Sequence, residues 1–566
     1  MKEILKFLLM VLLVSSLFGC SARTMSDIQY PIPDDRMNIP EPQEQEINIA
    51  KEALHKQFVM QVQKIFEPSI FIRKITGKPK QAMNVDAFDE VPNSTWFTNR
   101  NAFKQMSPEE IARGPDTGTG PDQSGPWEIF RAKAQGVTPG FQIKDSKGER
   151  YVIKFDPPGY SELMTGAEVV STKLFYAAGY YTPENYITYF HPEILILGDE
   201  VRFTDSKGQK RLMNQRDLKD ILQRIHYLPD GRIRALASKY IEGKPIGPLK
   251  YSDTRDDDPN DIVPHQHRRE LRGLRVIAAW LNHFDTKDGN SFDTFITENG
   301  SSYVKHYLID FGSTLGSAAN GPNKPFRGFE YDVDPRALLT QLFSFGLYIP
   351  PYKKSKGVQY PSIGLYNTEY FQPHKYKSQI PNPAFEYMTN CDGFWGAKIV
   401  MSFTDKQLKV AVEQGKYSDP EAADYLLQVL KERRNIIGRR WFKRINPLDK
   451  FRIDENRKLL FTDLAVETGL ESTDKSSYGY IISNNKTKKV TAEKLIQRTN
   501  IPLPDIEELL QIRDSSHQEN LYDTVLEVKI FTRRGEDKKW SKWVKTFISL
   551  DEMSGKYVLI GLQRHE

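Results

Sequence analysis

Trp280-Leu-Asn-His283-Phe284-Asp285-Thr-Lys287-Asp-Gly-Asn290-Ser-Phe-Asp293, followed by Tyr307-Leu-Ile-Asp310-Phe311-Gly312, is the stretch that decides the fold. Asp285 stands two positions before Lys287 and five before Asn290. A loop with this spacing can present a carboxylate and a carboxamide on one side of a bound phosphate. The carboxylate can orient or deprotonate an attacking hydroxyl, and the carboxamide oxygen is a hard ligand that suits Mg²⁺. Asp310 closes an apolar run that reads as a strand, so a second carboxylate arrives from a neighbouring strand end.

Two more charged groups lie upstream in an order that matters. Lys154 sits inside Tyr151-Val-Ile-Lys154-Phe155, where an ammonium among apolar neighbours must find a polar partner. Glu168, on the helical segment Ser161 to Ala178, is the natural one, with Glu162 as runner-up nearer the helix start. Together these residues resemble the protein-kinase superfamily. The resemblance covers about residues 126 to 450 and implies an α+β fold of two lobes with ATP and Mg²⁺ in the cleft between them. By resemblance Asp285 is the catalytic base and Lys287 contacts phosphate. Asn290 and Asp310 bind metal, Lys154 meets the α- and β-phosphates, and Glu168 holds Lys154. His283 matches the histidine that leads the loop motif, a packing residue rather than a reactant.

The chain also departs from that pattern. Phe284 stands where regulated kinases carry arginine, which argues against control by a phosphorylated activation loop. There is no Ala-Pro-Glu downstream and no G-x-G-x-x-G. Gln135-Gly136-Val-Thr138-Pro-Gly140 is the candidate replacement, with backbone N–H groups and Thr138 toward the phosphates. The hairpin around Thr297 to Ser301 is longer than in most protein kinases and looks more like bacterial outgroups such as the HipA-like toxin kinases.

The N-terminus carries a different signal. Lys2 and Lys6 precede an apolar run from Phe7 to Phe18, about the length of a secretory h-region and too short to span a bilayer. Leu17-Phe18-Gly19-Cys20 resembles the lipobox of bacterial lipoproteins. The resemblance implies a signal peptide over 1–20, lipidation of Cys20, and attachment to a cell-envelope membrane, with Ser21 favouring the outer one. Cys391 is the other of the chain's 2 cysteines, so the mature protein has no intramolecular disulfide and Cys391 reads as a buried thiol.

The remaining organisation follows in order. Residues 21–46, rich in Pro, Asp and Glu, read as a tether, and 47–125 as an N-terminal extension that begins with a helix over Ile47 to Phe66. Residues 126–245 form the N-lobe, a small antiparallel sheet with one helix, and Glu242 to Pro248 is the hinge. Residues 246–452 form a C-lobe that is largely helical beyond 313, and 453–566 a small β-rich or α+β domain. The acidic loop Asp253 to Asp261 lacks EF-hand spacing and reads as solvated, as does the face bearing Arg433, Arg434, Arg439 and Arg440. Lys538-Lys539-Trp540-Ser-Lys542-Trp543 reads as a strand edge.

The chain has 566 residues, 39% hydrophobic and 27% charged, enough for several folded units. Its net charge of +5 is small for this length and gives no support to a nucleic-acid partner. Three readings compete. One is an envelope phosphotransferase with nucleotide and an unidentified hydroxyl-bearing acceptor as partners. The second is a pseudokinase scaffold, and the third a metal hydrolase built on His265, His267, His283 and Asp285.

Overall fold

The computed structural model describes residues 33–45, 79–133, 140–204, 209–485, 490–505, 525–537, 539–551 and 554–566. Cys20, Gly136, Thr138 and the helix expected over Ile47 to Phe66 lie outside these. The fold is the expected two-lobed α+β arrangement, with an extension before it and a β-rich domain after it.

After a short helix α1 (Pro108–Arg113), the N-lobe contains β1 (Trp127–Lys133), β2 (Gly140–Lys144), β3 (Arg150–Lys154), α2 (Leu163–Ala178), β4 (Asn185–Phe190), β5 (Leu195–Thr204), β6 (Lys210–Leu212), α3 (Gln215–Leu222) and β7 (Ile233–Lys239). Their sheet runs β4-β7-β3-β2-β1-β5-β6. It is larger than the small antiparallel sheet expected. Strands β4 and β5 lie at opposite sides of it, because β5 crosses over to pair parallel with β1. The alternation Val201/Phe203, both buried, is what commits β5 to the sheet. A second helix, α3, comes with this insertion and is closed by an Asn214–Asp217 capping box.

The C-lobe begins with β8 (Lys244–Gly247), so the expected hinge is partly a strand. It continues through α4 (Arg269–Leu281), β9 (Ser291–Glu298), β10 (Ser301–Leu308), α5 (Pro335–Phe343), α6 (Pro383–Glu386), α7 (Asn390–Met401), α8 (Asp405–Glu413) and α9 (Pro420–Phe442). Strands order as β10-β9-β8. Helix α4 is buried along almost its whole surface, because α7 covers one side and α9 another. Gly273 permits the α4–α7 contact, since a Cβ there would lie 2.6 Å from the Trp395 ring. The Trp280 indole donates to the Leu430 carbonyl at 2.9 Å, tying α4 to α9. The C-lobe is less helical than expected, as α5 is the longest helix between 313 and 382.

Segments read as outlying are built in. Residues 33–45 are no tether: Ile39 is buried beside Ile246 and Val304, and its N–H donates to Ser302 at 2.9 Å. Asp35 accepts from Thr95, and the Gln45 N–H from 3.0 Å donates to the Ile246 carbonyl. The extension places Trp96, Phe97 and Ile111 in the main core, against α2 and the C-lobe helices. In the acidic loop Asp258 and Asp261 are buried, and Asp261 takes both His265 and Arg268. Arg433 is buried with its guanidinium 3.9 Å from the Phe371 ring, and Arg434 donates to Phe403 and Asp405.

The last domain comprises β11 (Leu448–Ile453), β12 (Lys458–Asp463), β13 (Ser476–Asn484), β14 (Val490–Ile496), β15 (Asn500–Pro502), β16 (Leu526–Arg534), β17 (Val544–Asp551) and β18 (Lys556–Arg564). Two sheets, β11-β12-β15 and β14-β13-β16-β17-β18, enclose one core. The Lys539 to Trp543 cluster lies in the connection between β16 and β17, not on a strand edge. Cys391 is buried, as expected of a structural thiol, and burial pushes its pKa well up.

Candidate active site

Lys154 is delivered by β3, where it pairs with Gly140 on one side and Leu236 on the other. Strand alternation sends Ile153 into the lobe core and Lys154 to the opposite face, toward the cleft. Its ammonium lies 3.0 and 3.2 Å from the two oxygens of Glu168 and 2.9 Å from Asp310. Glu168 is buried in the middle of α2. Glu162, the runner-up, is instead the N-cap of α2 in a left-handed conformation and accepts from the Ser418 N–H.

Why α2 sits where Glu168 can reach has a local cause. Its N-cap residue makes no side-chain cap bond. Asp156, just past β3, does that work, accepting from the N–H groups of Glu162, Met164 and Thr165 at 2.9 Å each. On the far side Gly312 leaves room, because a Cβ there would lie 2.8 Å from Met164 and 3.3 Å from a Glu168 oxygen.

The lower half of the site is set by the end of α4. Asn282 caps the helix in the left-handed region with φ 52°, and the His283 N–H returns to the Ala278 carbonyl at 2.8 Å. His283 is buried against Phe175 of α2, and Phe175 stacks on Phe311 at 4.7 Å. Burial lowers the His283 pKa, which keeps the ring neutral and a packing group. The loop then folds on itself: the Asn290 amide donates to the Asp285 carbonyl at 2.8 Å, and Lys287 ion-pairs with Asp285 at 2.8 Å. The Ile309 N–H donates to the Asn290 carbonyl at 3.1 Å, which sets Asn290 beside Asp310.

Electrostatics divide the carboxylates. Burial, with Asp310 nearby, outweighs Lys154 and pushes Glu168 up to about 7. Asp310 is lowered, chiefly by Lys154. The Lys154 pKa is raised: burial lowers it, but Asp310 and Glu168 together prevail. Asp310 adopts φ 63°, a conformation that aspartate tolerates better than most residues.

Lys154, Asp285 and Asp310 all open on one interlobe cavity of about 870 Å³. Six of the residues singled out from the sequence thus converge: Lys154, Glu168, Asp285, Lys287, Asn290 and Asp310. The phosphate-loop residues Gly136 and Thr138 and the lipidation residue Cys20 lie outside the described residues. The histidines proposed for a hydrolase do not converge. His265 bonds Asp261 and the Lys250 carbonyl, His267 bonds Lys80 and Arg272, and among the described residues no group of three or more metal-ligating side chains forms.

The sequence reading missed one feature of this cavity. Arg131 on β1 and Arg202 on β5 are paired in register, and both line it together with Lys210. The missing signal was topological: the β5–β6 hairpin joins the sheet beyond β1, which local periodicity does not reveal.

Among known proteins, no family model and no curated protein matches this chain. Solved structures similar to it include kinases. The Helicobacter pylori proinflammatory kinase CtkA shares 14% identity over 58% of this chain and 95% of its own, with a TM-score of 0.28. The Golgi casein kinase shares 10% over 75% and 94%, with a TM-score of 0.28. A structure of the Golgi casein kinase with Mn/ADP bound shares 9% over 59% and 76%, with a TM-score of 0.27. What the cleft of this chain can do follows from its own side chains.

Proposed function

We propose that this chain is an envelope-anchored phosphotransferase that moves the γ-phosphoryl group of ATP to a hydroxyl acceptor. One observation carries the reading: a lysine amine bridges a buried glutamate and the Asp310 carboxylate at the wall of a cavity that also receives Asp285. A cation held this way is pre-oriented, so it can meet phosphate oxygens with little reorganisation.

Asn290 and Asp310 fit a hard divalent ion, since both offer oxygen and the backbone bond from Ile309 holds them side by side. When bound, Mg²⁺ offsets charge on the β- and γ-phosphates. Lys154 would hold the α- and β-phosphates, and Glu168 fixes the direction of Lys154. Asp285 would take the proton of the acceptor hydroxyl, and Lys287, which ion-pairs with it, would contact the transferred phosphate. Acylation of Cys20 would fix the protein to the bacterial envelope, at the outer membrane by the residue that follows.

The test uses the full chain carrying Cys20→Ser. Mg-ATP should raise its melting temperature, and labelled phosphate should pass from ATP to an acceptor in envelope extracts. Asp310→Ala should abolish metal-dependent nucleotide binding, whereas Asp285→Ala should keep binding and lower transfer by at least about a hundredfold. A wild-type chain that gains no stability from Mg-ATP would leave the scaffold reading in its place.

A further inference from the structure

Helix α5 and the residues after it expose apolar side chains to a degree found nowhere else among the described residues. No residue of α5 is buried. Leu342, Phe343, Phe345 and Leu347 are 69%, 77%, 92% and 86% exposed, and Leu338, Leu339 and Ile349 are also more than half exposed. The pattern is amphipathic: Leu338, Leu339, Leu342 and Phe343 share one side of the helix, with Thr340, Gln341 and Ser344 on the other. Contiguous apolar surface of this kind marks an interaction site.

We infer that the segment from Leu338 to Ile349 is an interfacial anchor that inserts its apolar side into the headgroup region of an anionic bilayer. This inference rests on the lipid-anchor part of the function proposed above.

Three observations select a bilayer over a protein groove. The first is charge. The acidic residues just before the helix are ion-paired: Glu330 with Lys353, Asp332 with Arg327, and Asp334 with Lys377. Arg336, Lys354 and Lys356 have no ion-pair partner among the described residues; the Glu369 carboxylate, which accepts from the Ser355 hydroxyl and the Lys356 N–H, offsets part of this charge, and the segment keeps a positive balance. That suits anionic headgroups. The second is aromatic placement. Tyr348, half exposed, and Tyr352, whose hydroxyl donates to Glu330, lie between the apolar tip and the lysines, where a phenol sits best at a lipid–water boundary.

The third is reach. Residues 33–45 are bonded onto β8 and β10, so only residues 21–32 separate Cys20 from the folded body. Twelve residues span at most about 40 Å, and an acylated Cys20 would keep the body within that distance of the membrane. A projecting apolar segment that close to a bilayer would otherwise remain in water at a cost. On a body held by an acylated Cys20, this segment would be a second point of attachment, and its insertion would be an intramolecular binding event.

The experiment places an environment-sensitive fluorophore at Phe345→Cys in the full chain with Cys20→Ser; Cys391 is buried away from the label. Vesicles of phosphatidylglycerol and phosphatidylethanolamine should shift its emission to the blue, bromines in the acyl chains should quench it, and phosphatidylcholine vesicles should do less. In the unlabelled Cys20→Ser chain, Leu342→Glu with Phe345→Glu should lower vesicle co-flotation about tenfold and leave the Mg-ATP thermal shift unchanged. A probe that stays in water on anionic vesicles overturns the inference. So does a blue shift that needs no lipid and grows with protein concentration, which would assign the surface to a second copy of this chain. The nucleotide shift and the mass of the native Cys20 residue test the two parts of the function reading separately.

Discussion

Glu168 shows how a single residue couples the cleft to pH. Its carboxyl is pushed up to about 7 by burial, with Asp310 adding to the shift and Lys154 opposing it. The folded value lies above the unfolded one, so the protonated group favours the folded state. That contribution is complete below about 4.5 and is lost as pH rises through about 7. The apo chain should therefore lose melting temperature across that window, and Glu168→Gln should flatten the slope. Nucleotide binding should run the other way, strengthening through about pH 7 as ionised Glu168 comes to hold Lys154 firmly. A binding constant that is flat from pH 6 to pH 8 would contradict the role given to this ion pair.

At the scale of elements, the position of α2 governs whether these groups meet. Three N–H groups at its start rest on the Asp156 carboxylate, and its C-terminus is closed by Gly179 with φ 121°. Asp156→Ala should cost about 1–2 kcal/mol of stability and weaken Mg-ATP binding, because α2 would no longer be held at the register that presents Glu168. Urea titration measures the first effect and calorimetry the second. A loss of stability with undiminished nucleotide affinity would mean that the sheet and the Gly312 loop alone fix Glu168.

Across the whole molecule, the extension, the C-lobe and the last domain are joined by buried charge. Arg269 and Arg272 on α4 both pair with Asp392 on α7, and Arg269 also holds Asp89 of the extension. Arg564, near the chain end, reaches Asp89 and Asp449, and the Cys391 N–H donates to Glu566 at 2.7 Å. Asp392→Ala would leave two buried guanidinium groups without that partner, and should destabilise the protein by about 3–5 kcal/mol. Because the network spans three regions, unfolding should remain one transition by circular dichroism and fluorescence alike. Separate transitions would show that the last domain is an independent unit.

The sequence by itself determined which polar groups gather at the cleft. Asp285, Lys287, Asn290 and Asp310 lie in one local stretch, where spacing along a loop and a strand end dictates which groups can face one ligand. It also determined α2 nearly to its ends, since hydrophobic period and a glycine stop are local. It could not determine which strand β5 pairs with, whether residues 33–45 pack or trail, or that Arg433 and Asp261 are buried, because a charge looks solvated until its distant partner is known. Nor could it show that α5 is left uncovered: an amphipathic pattern reads the same on a core helix, and only the arrangement of everything around it decides whether that apolar side meets protein.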